Sequence, residues 1–314
     1  MSQMKKRILF TEGCDLRILE VSKMLTKQAH IQPIVYGSRD EITKLANEMK
    51  MSLDNIIILD PDEFEEKERM IERLLELRRG KIDYEEAKEL IKKDTYFTTL
   101  YTEMGYADGL LGGSQNSTAD TLRPIMQLIK TKPDCNFMSS CFLMKKDDQV
   151  LIFADCSMNR NPDVDQLVEI AIQSAKTALD FGLYPKVAML SYSTKGSGAG
   201  ESVDKVKEAT KRLKRMSLPF VVDGEMQVDS ALNPHVAELK CPDSLIKGDA
   251  NVLVFPDLNA GNIGYKLVSN LGGYEAIGPI LQGVRIPMND LSRSATVDEI
   301  YKMALITAMQ YGDK

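Results

Sequence analysis

Histidine is almost missing from this chain of 314 residues, which contains only His30 and His235. His30 precedes an apolar strand-like run and His235 follows Pro234 at a helix-start pattern, so both read as structural. A Ser-His-Asp mechanism is thereby disfavoured, and a general base is sought among carboxylates, tyrosines and cysteines. The five cysteines (Cys14, Cys135, Cys141, Cys156 and Cys241) are odd in number and scattered. They form no C-x-x-C pair and have no histidine beside them, which argues against a zinc site and for reduced thiols. No apolar run approaches the roughly 18–20 residues of a membrane helix, and the stretch after Lys5, Lys6 and Arg7 is too short for a signal peptide. The expectation is a cytoplasmic protein without a membrane partner. An excess of positive charge is lacking too, with 40 Lys and Arg against 46 Asp and Glu. This argues against a nucleic-acid partner, and any anionic ligand must be held by a few cations gathered in one place.

What is present is length and regular patterning. At 314 residues with 43% hydrophobic residues the chain exceeds one growing core, and two domains are expected. Short runs rich in β-branched residues read as buried strands: Arg7–Phe10, Pro33–Tyr36, Ile56–Leu59, Val150–Phe153, Val187–Leu190, Phe220–Val222 and Val252–Phe255. Helical patterns alternate with them. The clearest is Asp163–Phe181, where Leu167, Ile170, Ala171, Ser174, Ala175, Ala178 and Phe181 share a face, with Pro185 beyond its end. Continuous apolar strands alternating with amphipathic helices predict an α/β fold with mostly parallel sheets. The charged stretch Pro61–Asp94 reads mainly as solvated helical surface.

Three segments gather small, polar and cationic residues at strand-to-helix junctions, where α/β folds place ligands. The first runs from Gly112 to Pro124, after the strand-like Gly109–Leu111; its Ser117 and Thr118 suit either an ordinary N-cap or an anion site at a helix start. The second, Ser191–Gly200, crowds hydroxyls and glycines around Lys195; it is neither a P-loop nor a dinucleotide fingerprint, and an exposed flexible loop is its plain alternative. The third, Pro287–Glu299, enters the final helix with Ser292 and Arg293 adjoining and with Asp298 and Glu299 in the first turn, where the helix dipole alone favours acidic residues.

With these segments in view the chain resembles the phosphate acetyl/butyryl transferase family along nearly its whole length. The resemblance is carried, in order, by Phe10-Thr-Glu-Gly-Cys-Asp-Leu-Arg17, Ser117-Thr-Ala-Asp-Thr-Leu-Arg-Pro124, Phe153-Ala-Asp-Cys156, Ala188-Met-Leu-Ser-Tyr-Ser-Thr-Lys-Gly-Ser-Gly198, Phe255-Pro-Asp-Leu-Asn-Ala-Gly-Asn-Ile-Gly-Tyr265 and Asn289-Asp-Leu-Ser-Arg293. It implies two α/β domains with mostly parallel sheets, like the isopropylmalate dehydrogenase fold, and an active site in the interdomain cleft. The expected first domain is 1–135 plus 283–314 and the second 136–282, the latter forming a homodimer. The resemblance further implies reversible acetyl transfer between acetyl phosphate and coenzyme A, with acetyl-CoA and inorganic phosphate on the other side of the reaction. No metal and no bound cofactor are implied; coenzyme A is a substrate.

The same resemblance implies site residues. Arg78 and Arg123 stand where family members hold coenzyme A. Ser292 and Arg293 stand beside the reacting carbonyl and phosphate. Family members place an aspartate base seven residues beyond the serine, but position 299 is glutamate and Asp298 precedes it. One helical step turns a side chain by about 100°, which favours Glu299 as the base. Asn259 and Asn262, with Tyr192, Ser193 and Lys195, are expected along the opposite wall. Asn116 replaces a common histidine and Ser294-Ala295 a common Gly-Cys pair.

These residue types suit the chemistry. Acetyl phosphate is a mixed anhydride, so the thiol, with an ordinary pKa near ~8.5, needs only a base, alignment and a stabilised oxyanion and leaving phosphate. An acyl-enzyme on Cys156 is the competing mechanism, but no cation or histidine adjoins it in sequence to activate the thiol. Competing functions are butyryl transfer, a metal- and nucleotide-dependent dehydrogenase of the same fold, and a coenzyme A or acetyl phosphate binding protein without turnover.

Overall fold

The computed structural model describes residues 5–310. The chain divides into two compact units, Met1–Lys132 with Val284–Lys314, and Pro133–Gly283. Elements are numbered in chain order. The first unit opens with β1 (Lys6–Phe10), α1 (Leu16–Leu25), β2 (Ile31–Tyr36), α2 (Arg39–Glu48) and β3 (Ile57–Leu59), and continues through α3 (Lys67–Arg78), α4 (Tyr84–Leu90), α5 (Asp94–Glu103), β4 (Gly109–Gly112) and α6 (Thr118–Leu128). The second unit runs β5 (Ser139–Lys146), β6 (Gln149–Ala154), α7 (Val164–Asp180), β7 (Lys186–Leu190), α8 (Glu201–Arg215) and β8 (Val221–Met226). It then passes through α9 (Val228–Leu232), α10 (Pro234–Lys240), β9 (Val252–Val254), α11 (Leu258–Gly272) and β10 (Glu275–Gln282). The chain returns to the first unit with β11 (Met288–Asp290) and α12 (Val297–Gln310).

The first sheet has order β11-β4-β1-β2-β3 and is parallel throughout. The second has order β10-β5-β6-β9-β7-β8; its β6, β9, β7 and β8 are parallel, while β5 runs antiparallel to both β6 and β10. The architecture is thus α/β with mostly parallel sheets. Every expected strand run lies in or beside an observed strand, and the Asp163–Phe181 helix is α7 with Asp163 as N-cap and Phe181 as C-cap. Asp163 and Gln166 close a reciprocal capping box that satisfies two orphan amides at that helix start.

Burial follows the patterning. Ile8, Leu9 and Phe10 of β1, Ile18 and Leu19 of α1, and Ile34 and Val35 of β2 are buried, as continuous apolar strands covered on both faces require. In the second unit Val187, Ala188 and Met189 of β7 and Val252 of β9 are fully enclosed beside Ile170 and Ala171 of α7. Among the described residues no helix is long and apolar enough to cross a membrane.

Candidate active site

Parallel strands share one carboxyl edge, so the loops that leave neighbouring strands emerge together. In the first unit three such loops follow β11, β4 and β1, which are adjacent in the sheet. They carry Ser292 and Arg293, Gly113 to Ser117, and Glu12 to Asp15 respectively. The loop after β11 is anchored by the Leu291 amide, which donates to the Gly112 carbonyl at 2.7 Å. Within it the Ala295 amide donates to the Ser292 carbonyl at 2.9 Å, and the hydroxyls of Ser292 and Ser294 lie 2.9 Å apart. Ser292 and Arg293 are exposed, and the Arg293 guanidinium has no hydrogen-bond or ion-pair partner among the described residues. A charged fork left open to solvent is available to an anion.

Glu299 closes this loop onto α12. Its Oε2 accepts from the Thr296 amide at 2.7 Å and the Thr296 hydroxyl at 3.1 Å, while the Glu299 amide donates to the Thr296 hydroxyl at 3.2 Å. Thr296 and Glu299 are therefore the N-cap and N3 residues of a capping box, a motif that residue types and spacing already carry in the sequence. Only one carboxylate oxygen is engaged; Oε1 has no protein partner among the described residues. Asp298 points elsewhere, pairing with Lys302 one turn on at 2.6 Å.

Behind the loops lie two buried carboxyls that the sequence reasoning did not single out. Glu12 is 6% exposed and Asp290 1%. Glu12 Oε1 accepts from the Gly113 amide at 2.8 Å and from the Asn116 side-chain amide at 2.9 Å, while its Oε2 is buried without a partner. Burial raises the Glu12 pKa; the Asn116 and Gly113 donors counter this in part, and Asp94 adds to the rise. Burial likewise pushes the Asp290 carboxyl up to about 7, partly offset by the Thr118 hydroxyl and reinforced by Glu12. Gly113 is required where these groups meet. Its φ is +99°, and a β-carbon there would fall 2.2 Å from Asp290 Oδ1.

In the β4–α6 loop Asn116 and Ser117 are committed to protein partners. The Asn116 side-chain amide donates to Glu12 and, at 3.0 Å, to Asp94 Oδ2, so it is not turned to a ligand. Ser117 is the N-cap of α6, accepting from the Asp120 amide at 3.2 Å and donating to the Asp120 carboxylate at 2.6 Å. Thr118, the first residue of α6, is exposed. Arg123, by contrast, is exposed and makes only a loose contact with Asp120 at 3.9 Å. It lines a pocket of about 410 Å³ with Lys92, Lys93, Tyr36 and Tyr96, and with two carboxylates, Asp94 and Asp120. Of its three cations Lys92 is paired with Glu89, which leaves Lys93 and the loosely held Arg123 as the cations open to an anion. Lys92 and Lys93 went unnoticed in sequence because they sit in a charged stretch read as solvated surface. Arg78 ends α3, half-buried, with its Nε enclosed and unpartnered.

In the second unit the loops after β6, β9 and β7 leave adjacent strands. Asp155, buried, accepts from the Ser140 hydroxyl, from the amides of Ser157, Met158 and Asn159, and from the Asn159 side chain, so it ties one loop into a tight knot. The Asn262 side chain donates to the Cys156 carbonyl at 3.1 Å, and Asn259 is exposed near the start of α11. Cys156 is fully buried and burial holds its thiol well above the ordinary range, which leaves it protonated and inert as a nucleophile. In the Ser191–Gly200 loop, Tyr192 is exposed and donates to the Ala199 carbonyl at 2.7 Å. Ser193, fully buried, donates to Glu225 at 3.0 Å, and Glu225 also accepts from the Gly196 amide at 2.7 Å. Lys195 donates to Asp223 at 2.5 Å and to the Gly224 carbonyl at 2.8 Å. Burial works against the Asp223 carboxylate, but Lys195 and Lys214 outweigh it and its pKa falls.

Such an arrangement defines an α/β protein with an uncommitted arginine and an adjacent serine on a loop at the carboxyl edge of parallel strands. Comparison with known proteins narrows the class. The family model described as phosphate acetyl/butaryl transferase matches residues 1–308, and the chain belongs to that family. It is 47% identical over 304 residues to the phosphate acetyltransferase of Bacillus subtilis, covering 97% of this chain and 94% of the relative. Among solved structures it is similar to the EutD phosphotransacetylase of Staphylococcus aureus (44% identity, TM-score 0.90) and to a phosphotransacetylase of Streptococcus pyogenes (42% identity, TM-score 0.93). In both comparisons 98% of this chain and 94% of the other are covered.

Proposed function

We propose that this protein is a phosphate acetyltransferase, an acyltransferase that moves an acetyl group reversibly between acetyl phosphate and coenzyme A. The observation that carries this is the near full-length agreement with proteins of that name, at 47% identity to one of them. The exposed Ser292–Arg293 pair supports it. In thioester synthesis the coenzyme A thiol gives its proton to Glu299, and the sulfur attacks the carbonyl carbon of acetyl phosphate. The new C–S bond forms, the C–O bond to phosphorus-bound oxygen breaks, and inorganic phosphate leaves with the bonding pair. Ser292 donates to the developing oxyanion, and Arg293 neutralises the phosphate. Glu299 is pre-oriented for its role: the capping box holds Oε2 and leaves Oε1 to face the thiol.

Arg78 and Arg123 bind the phosphates of coenzyme A, with Lys92 and Lys93 beside Arg123. Of the other substrate-binding candidates, Asn259 keeps its side chain free for ligand. Ser117, Tyr192, Ser193, Lys195 and Asn262 act by holding their loops in shape, whereas Thr118 is exposed at the start of α6. A homodimer forms through the second unit, where Ile263, Leu267 and Leu271 make an exposed apolar stripe along α11, at 58, 52 and 82% exposure. The five free thiols support a cytoplasmic location.

The test is direct. Chelator-treated protein mixed with acetyl phosphate and coenzyme A is expected to raise thioester absorbance without added divalent ion. No thioester, or thioester formed only on adding a divalent ion beyond any salt effect, overturns the assignment.

A further inference from the structure

Arg17, in the first turn of α1, has every one of its donors in use. An arginine carries five N–H groups in a rigid planar fork and no acceptor. Here Nε donates to Asp15 Oδ1 at 3.1 Å and Nη2 to Asp15 Oδ2 at 2.6 Å. The second Nη2 proton goes to the Ser114 carbonyl at 2.9 Å. The two Nη1 protons go to the carbonyls of Arg293 at 2.9 Å and Ala295 at 2.7 Å. Five donors thus meet five acceptors: two oxygens of one carboxylate and three backbone carbonyls from two loops. Asp15 is itself fixed as the N-cap of α1, accepting from the Arg17 amide at 2.9 Å. Burial works against the Asp15 carboxylate, but the Arg17 bonds outweigh it and its pKa is lowered, so the pair stays charged.

The two loops it bridges are those that carry the Ser292–Arg293 pair and the start of α6. The segment from Leu291 to Thr296 has no regular structure, and the carbonyls that Arg17 takes flank Ser294 on either side, immediately after the Ser292 hydroxyl. With its fork consumed in this way, Arg17 has no donor left for a phosphate, although it lies in the same loop cluster as Arg293. Its charge serves a different purpose from that of Arg293.

We propose that Arg17 is a positioning residue for acetyl transfer: by clamping the Arg293, Ala295 and Ser114 carbonyls it sets the orientation of the Ser292 hydroxyl and the Arg293 guanidinium, without touching substrate. This rests on the proposed function. Placement errors of about 1 Å at a reacting centre cost on the order of 10²-fold, so loss of the clamp should appear in kcat and not in coenzyme A binding. Lysine cannot replace it, because three donors on one nitrogen cannot reach a carboxylate and three carbonyls spread over a planar fork.

The experiment compares wild type with Arg17→Lys and Arg17→Ala by steady-state kinetics and by hydrogen exchange of the 290–296 peptide. Wild type must form thioester; if it does not, the functional assignment fails and the exchange arm still reports on the clamp. Arg17→Lys is expected to lower kcat by about 10–100-fold with the KM for coenzyme A changed less than about threefold, and to speed exchange of the 290–296 amides. Added guanidinium ion should restore part of the Arg17→Ala turnover and slow that exchange, whereas methylammonium should not. Should Arg17→Ala fail to fold, Arg17→Lys alone decides through its kcat-against-KM split. A kcat for Arg17→Lys within about threefold of wild type, or a loss confined to the KM for coenzyme A, overturns the proposal. Unchanged exchange of the 290–296 amides overturns it as well.

Discussion

Two loops of this protein look alike in composition and differ in what they have left to offer. The Ser191–Gly200 loop of the second unit holds five hydroxyl side chains, three glycines and Lys195, and on composition it is the better anion site. In the folded protein its lysine is neutralised by Asp223, and its buried serine and one glycine amide are taken by Glu225. The loop after β11 in the first unit is poorer, with Ser292, Arg293 and Ser294, yet its arginine is uncommitted, and it is Arg17 that takes the carbonyls of Arg293 and Ala295. A donor counts toward a ligand only when the protein has not already spent it. Composition reports how many donors exist, whereas the partners found across the fold decide how many remain.

The comparison breaks most sharply if the uncommitted donor proves dispensable. Arg293→Ala is expected to lower kcat about 10³-fold with the fold intact, the size associated with losing a preorganised charge donor; turnover near wild type in steady-state assays would remove it from the chemistry. Next comes the base. Glutamine is as good as glutamate at the N3 position of a capping box, so Glu299→Gln should keep the helix start and its melting temperature while turnover falls about 10²-fold or more. Asp298→Asn, which loses only its pair with Lys302, should cost less than about tenfold; the reverse ranking would hand the role to Asp298.

A smaller effect sharpens the division between chemistry and binding. Arg123→Ala should raise the KM for coenzyme A about tenfold while that for acetyl phosphate changes little, and equal changes in both would detach Arg123 from the coenzyme A site. Asp290 tests the buried side of the same loops. Its folded pKa of about 7 stands above the ordinary 3.8, so between those values the folded protein keeps a proton that the unfolded chain has lost. Its contribution to stability is therefore complete at low pH and is lost as the pH rises through about 7. Denaturant midpoints at pH 5 and pH 8 should fall with pH more in wild type than in Asp290→Asn; parallel behaviour would mean that Asp290 is ionised throughout. The smallest effect is expected from the committed loop, where Lys195→Ala should leave kcat within about threefold. A loss comparable with that of Arg293→Ala would erase the distinction between the two loops.

Much of this fold is legible in the amino-acid sequence. Asp163 and Gln166 open α7 at capping-box spacing, and the apolar runs of β1, β2, β7 and β9 are too continuous to be anything but buried strands. Three strands were not readable. β10 contains Gly278-Pro279, a turn-like pair, and its partner β5 lies more than a hundred residues earlier in the chain. β5 itself follows a proline-containing segment and runs against its neighbours in a sheet expected to be mostly parallel. β11 has three residues, only one of them apolar, and exists because β4 offers it a parallel edge.

The amino-acid sequence by itself determined the family, the alternation of strands and helices, and the short list of residues able to handle phosphate and acyl groups, because these follow from residue type and local spacing. The fate of each donor was decided only by tertiary structure. Asn116 is claimed by Glu12, which lies 104 positions away, and Lys195 by Asp223, 28 positions away. Arg17 reaches carbonyls 276 and 278 positions along the chain. Local periodicity carries no information about such pairings. They form because adjacent parallel strands bring distant loops to one edge, where every buried donor and acceptor must find a partner.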